Sequence, residues 1–140
     1  MPHHKASAPP PCIQLFSPDT LYNPEPYAYS HIAAVRNIQR IVHIAGQGGE
    51  NQQGLLCNDF AQQLQQAFAN LLLAADAALP DIATLRILIA GHSPEKHQML
   101  IQHMQDLWKN SAFPACTLIP VPCLALAGMQ IEIEAMAYCA

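Results

Sequence analysis

Between Gln130 and Tyr138 the chain alternates with period two, placing Ile131, Ile133, Ala135 and Ala137 on one side of an extended backbone and Gln130, Glu132, Glu134, Met136 and Tyr138 on the other. The pattern predicts a strand with one apolar face. On its second face, Glu132 and Glu134 stand about 7 Å apart. Upstream, a 3.6-residue stripe of Phe60, Leu64, Phe68, Leu71, Leu72, Ala75 and Leu79 predicts an amphipathic helix over Asp59 to Leu79. Gln62, Gln63, Gln65 and Gln66 fall largely off the stripe, Asn58 or Asp59 caps it, and Pro80 marks its exit. Ser93-Pro94-Glu95 announces a second helix, with an N-cap serine, an N1 proline and an early acid, and this helix buries Leu100, Met104, Leu107 and Trp108.

The remaining elements are short. Ile13 to Phe16 can form a strand within a segment that holds seven of the twelve prolines before Tyr27, so residues 1–21 read as an extended arm and 22–140 as one domain. Ile32 to Val35 and Arg40 to Ala45, separated by Arg36-Asn37-Ile38-Gln39, suggest two antiparallel strands, the second closed by Gly46-Gln47-Gly48-Gly49. Thr84 to Ala90 and Thr117 to Pro122 are further strands, with Phe113-Pro114 breaking the second helix between them. The order predicts an α+β fold, a mixed sheet with both crossover helices on one face.

Charge changes the picture of the other face. Charged residues make up 11% of the chain, less than the quarter or so usual for a small domain, which points to buried subunit contacts. A net charge of -4 with six scattered Lys and Arg offers no stripe for a phosphate backbone, so nucleic acid is an unfavoured partner. No apolar stretch is long enough to span a bilayer, and the five cysteines form no CxxC pair, so the expectation is a reduced cytoplasmic protein without membrane contact. The seven histidines show no HExxH-like spacing, and the glycines at 46, 48 and 49 match neither GxGxxG nor a P-loop, so neither metal nor cofactor is expected.

Two features carry candidate chemistry. Glu132 and Glu134 either keep an exposed strand wet or lie at a covered interface, where a buried carboxylate needs a partner; Arg86, alternating away from Leu85, Ile87 and Ile89, is the candidate. Cys116 follows Phe113-Pro114-Ala115 and is either a small hydrophobe or a reactive thiol, with no histidine base apparent from spacing.

In order and spacing, Tyr29-Ser30-His31 with Ala34-Val35, Ala45-Gly46-Gln47, Asp59-Phe60 with Gln62-Gln63, Phe113-Pro114-Ala115 with Thr117-Leu118, and Ile131-Glu132-Ile133-Glu134-Ala135 together resemble the Rid family, also called YjgF or L-PSP endoribonuclease-like. The resemblance, over about Tyr22 to Ala140, implies a chorismate-mutase-like fold and a homotrimer with a central barrel and small-molecule clefts between subunits. Catalytic members hydrolyse enamines and imines such as 2-aminoacrylate. In those members an arginine directly after Pro-Ala binds the substrate carboxylate through two parallel charge-assisted hydrogen bonds. Here that position is Cys116, beside Thr117. The resemblance further implies that Glu132 helps position the attacking water and that Tyr29 lines the cleft; for an enzyme acting on imines, the Gly46-Gln47 backbone would help shape that cleft and Arg86 would substitute for the missing anchor. Many deaminating members also have asparagine and serine where this chain has Met99 and Ala45. The resemblance therefore implies a trimeric binder of small molecules that is not a standard deaminase, with imine hydrolysis as the alternative.

Overall fold

The computed structural model describes residues 11–76 and 81–139. They form β1 (Ile13–Phe16), β2 (Ile32–Val35), β3 (Arg40–Gln47), α1 (Phe60–Ala75), β4 (Ile82–Ala90), α2 (Pro94–Trp108), β5 (Ala115–Val121) and β6 (Ile131–Cys139), with a 3-10 turn at Glu25–Tyr27. The main sheet has the order β3-β6-β4-β5. Only β4 and β5 run parallel, because α2 carries the chain back across the sheet; β6 is antiparallel to both of its neighbours.

Local chemistry sets the helix ends. The Asp59 carboxylate accepts from the Gln62 N–H at 3.1 Å, and the Ser93 hydroxyl accepts from the Lys96 N–H at 3.2 Å. α1 ends at Ala75, earlier than the stripe predicts, because Asp76 turns left-handed with φ 44°. Leu79 and Pro80, along with residues 1–10 of the expected arm, lie outside the described residues.

One core joins both helices to one side of the sheet. Ile87 and Ile89 of β4 and Ile131 and Ile133 of β6 meet Phe68 and Leu71 of α1 and Leu100, Met104 and Trp108 of α2. The period-two reading of β6 holds: Ile131, Ile133, Ala135 and Ala137 are buried, and the residues between them are half-buried. Leu107 is only partly buried, and Ile101 takes the place expected for it on the inner face of α2.

Three further expectations are corrected. β2 and β3 do not pair with each other: β2 pairs with β1 in a separate two-stranded sheet, and β3 is an edge of the main sheet beside β6. Asn37, at φ 52°, turns the chain between them, so the connection leads from one sheet to the other. Gly46 and Gln47 do not end β3 but belong to it, across a register shift between Ile44 and Gln47.

Gln63 is the third correction, since it is fully buried. Its amide donates to the carbonyls of Cys57 and Gly128 at 2.7 and 2.9 Å and accepts from the Gln130 N–H at 2.8 Å. A polar side chain can occupy the core when all its groups are paired, and here it ties the loop before α1 to the start of β6. Among the described residues, no helix is long and apolar enough to cross a membrane.

Candidate functional site

The sheet face away from the helices is where the strand registers bring the candidate residues together. Arg86 of β4 lies opposite Glu134 of β6 and Thr117 of β5, giving one row across three strands. A neighbouring row holds His43, Met136, Thr84 and Ala115, and the row on the other side holds Glu132, Leu88 and Ile119. Residues opposite one another share a face, so these side chains all emerge on the helix-free side.

Beyond β5 the sheet is extended by a single bridge between Ser30 and Ala115. The Ser30 N–H donates to Pro114 O at 3.1 Å and its hydroxyl to Phe113 O at 2.7 Å. This clamp carries Tyr29 and His31 to the mouth of the face. The result is a cavity of about 670 Å³ walled by Tyr29, His31, His43, Arg86, Thr117 and Glu134.

Within it, Arg86 Nη1 lies 2.7 Å from Glu134 Oε1, so the expected carboxylate–guanidinium pair forms, and forms with Glu134. The pair is net neutral, although the Arg86 side chain remains 60% exposed with guanidinium donors to spare. Glu132 belongs to the next row. Its carboxylate lies against Gly46, where a Cβ would overlap it, so the glycine is what gives the acid room. Gln47 Nε2 donates to Ala45 O at 3.1 Å, closing the irregular turn of β3. The sequence candidates thus divide into Tyr29, Arg86, Cys116 and Thr117 around the cavity, and Glu132, Gly46 and Gln47 beside it.

Cys116 is placed differently from its neighbours. It lies opposite Leu85, which is buried, so its side chain shares the helix side of the sheet and packs against the core, while its strand position still borders the cavity. Burial pushes the thiol up to about 12, which leaves it protonated and uncharged at neutral pH.

On that helix side, β5, α2 and the segment from Tyr22 to Tyr29 line a second, open-sided cavity of about 650 Å³, sharing Tyr29, Cys116 and Thr117 with the first. Tyr22 meets Tyr27, Tyr29 and His31 edge to face, with ring centroids 6.3, 6.5 and 4.9 Å away. The Tyr22 and Tyr29 hydroxyls are hydrogen-bonded, and His31 Nε2 lies 2.9 Å from Tyr22 O. His97 of α2 faces Tyr27 with the ring planes 17° apart; burial, aided by nearby His92, pushes its pKa below the usual histidine range.

Sequence reasoning missed His43, His31 and the Tyr22–Tyr27–His97 cluster. The first was within reach, because period two in β3 places His43 with Ile41 on the open side; the cluster is assembled from segments about 70 residues apart and leaves no spacing signal. Among the described residues, no three His, Cys, Asp or Glu side chains group closely enough to hold a metal ion.

The model of the family described as Endoribonuclease L-PSP matches residues 23–139. Among solved structures, a protein of unknown function of the conserved Rid protein family, YyfB from Yersinia pestis, is similar at a TM-score of 0.84 with 32% identity, covering 91% of this chain and 99% of that one. YyfA from the same organism, likewise described as a Rid protein of unknown function, is similar at a TM-score of 0.63 with 27% identity, over 79% and 87% of the two chains. E. coli TdcF, solved with bound serine, has the same fold at a TM-score of 0.62 and 20% identity, over 76% of this chain and 88% of that one. No curated protein matches the sequence.

Proposed function

The chain belongs to the Rid (YjgF, L-PSP endoribonuclease-like) family, and on that premise we propose that it is a cytoplasmic homotrimer whose intersubunit clefts bind a small molecule without standard 2-aminoacrylate deamination. The observation that carries this reading is Cys116. Deaminating members place there a guanidinium that holds the substrate carboxylate by two charge-assisted hydrogen bonds. Here the position holds an uncharged thiol on the helix side of β5. A neutral S–H is a weak donor and supplies neither the charge nor the planar fork.

The helix-free face, with Ile41 and Ile119 exposed beside Met136 and Tyr138, supports the trimer as the means of covering it. Arg86 is the guanidinium at the cavity, and Glu134 already neutralises it, so the pair favours neutral or zwitterionic ligands over simple anions.

A second reading is imine hydrolysis, with Glu132 positioning water and Arg86 as substitute anchor. What favours it is the exposure of Arg86: its unpaired donors can meet a carboxylate while Glu134 meets an ammonium or iminium group beside it. The serine bound by E. coli TdcF is a ligand of that zwitterionic kind, in a protein 20% identical.

Titration of the purified protein with 2-oxobutyrate, a stable 2-keto acid, tests the primary reading. Wild type is expected to show no saturable binding in the millimolar range, and Cys116→Arg to acquire it. Saturable binding by wild type that is lost in Arg86→Gln would overturn the primary reading in favour of the second.

A further inference from the structure

We infer that the cavity between β5 and α2 is a binding compartment for a neutral planar aromatic ring, a ligand class that the charged Arg86–Glu134 cavity does not by itself select. The inference rests on the reading of this protein as a small-molecule binder and names what part of the ligand this side of the site takes.

Three features of the wall carry it. The cavity, about 650 Å³, falls within the roughly 300–1,000 Å³ usual for small-molecule sites. No Asp, Glu, Lys or Arg lines it; the wall is aromatic and apolar, from Tyr22 and Tyr27 to Leu100, Met104 and Leu118, with Cys116 uncharged. A charged group seated against this wall would give up part of its hydration and find no counter-ion, whereas a neutral ring loses little.

The aromatic groups, moreover, are displayed rather than buried among one another. Tyr22 and Tyr27 are 62% and 50% exposed, yet they are held by contacts to Tyr29, His31 and His97 rather than left to rotate freely. Tyr27 and His97 present nearly parallel rings with centroids 6.4 Å apart, beyond the separation of rings stacked directly face on face. Edge-on and face-on partners for an incoming ring are therefore in place before it arrives. The polar tips available to it are the Tyr22 and Tyr29 hydroxyls and the His97 imidazole, which suit a single hydrogen-bonding substituent such as a ring N–H or a hydroxyl.

Methyl NMR of the full-length protein tests this with indole as the neutral probe and indole-3-acetate and tryptamine as charged counterparts. Indole is expected to shift the methyl resonances of Met104, Leu100 and Leu118 saturably, leaving Met129 unmoved, and to bind about tenfold more tightly than either charged analogue. Tyr27→Ala, at a half-exposed position that spares the core, should weaken indole about tenfold, and Tyr27→Phe should restore it.

No saturable shift at Met104, equal or tighter binding of indole-3-acetate or tryptamine, or an unchanged affinity in Tyr27→Ala would each overturn the inference. A Met104 shift that follows protein concentration without probe, and that indole does not alter, would assign the cavity to a second copy of the chain and overturn it as well. Failure here is distinct from failure of the functional reading: acceleration of 2-aminoacrylate hydrolysis would overturn that reading without moving the Met104 response.

Discussion

If Cys116 is a buried neutral thiol rather than a nucleophile, its exchange with a small disulfide reagent should be slow and should respond to pH unlike an unperturbed cysteine. Burial raises its pKa from 9.0 to about 12. Below pH 9 this lowers the thiolate fraction by about 10³, because each unit of pKa is a factor of ten. The higher pKa also makes the thiolate that does form more nucleophilic, by roughly 20- to 30-fold over three units at a Brønsted coefficient near 0.45. The net expectation is exchange at Cys116 about 30- to 50-fold slower in the native protein than in urea at pH 7 to 8. Quenched exchange read cysteine by cysteine by mass spectrometry measures it. Steric protection alone would also slow the reaction, so the pH profile is what discriminates. In urea the Cys116 rate should level off near pH 9; in the native protein it should keep rising to at least pH 10.5. A native profile that levels off near pH 9, or rates equal to those in urea, would refute the reasoning. The same shift has a stability counterpart, and its sign follows from the folded pKa being the higher one. The contribution of the protonated thiol is complete below pH 9 and is lost as pH rises towards 12, by about 1.4 kcal/mol per pH unit relative to Cys116→Ala, as urea denaturation would report.

Gln63→Leu removes the three hydrogen bonds that tie the loop before α1 to β6 and should cost about 2–4 kcal/mol in urea denaturation, despite adding an apolar side chain to the core. Gly49→Ala should cost about 1–3 kcal/mol, because its Cβ would lie 2.7 Å from Gln63 Cα, a backbone atom that cannot rotate away. Glu134→Gln should leave Arg86 uncompensated and bring saturable millimolar binding of 2-oxobutyrate where wild type shows none, measured by calorimetry. Sedimentation at micromolar concentration should give about 46 kDa, three times 15.3 kDa, and a mass of one chain would sink the trimer.

The parts of this molecule that obey a single period were readable from the sequence. β6, with apolar residues every second position, and the capped amphipathic helices were found in place, as was the Arg86–Glu134 partnership, because a residue that alternates out of the core of a neighbouring strand has few other places to go. What was not readable depended on pairings between distant segments. Nothing local distinguishes β2 paired with β3 from β2 paired with β1, since both alternatives satisfy short Ile- and Val-rich strands. Gln63 looks solvent-facing until the carbonyls of Cys57 and Gly128 are brought to it. For the site, the sequence located Cys116 but not its direction: the parallel register with Leu85 turns its side chain towards the helices, while Thr117 faces Arg86. The aromatic cavity arises where the segment around Tyr22–Tyr29 meets α2, a junction that no sequence period encodes.

The central claim is that this family member, whose Cys116 is an uncharged thiol, does not accelerate imine hydrolysis. Its most direct test is ammonia release from 2-aminoacrylate generated in situ, with wild-type protein compared against buffer and against Cys116→Arg. The account predicts that wild type matches buffer; ammonia release by wild type that rises in proportion to protein concentration would contradict it.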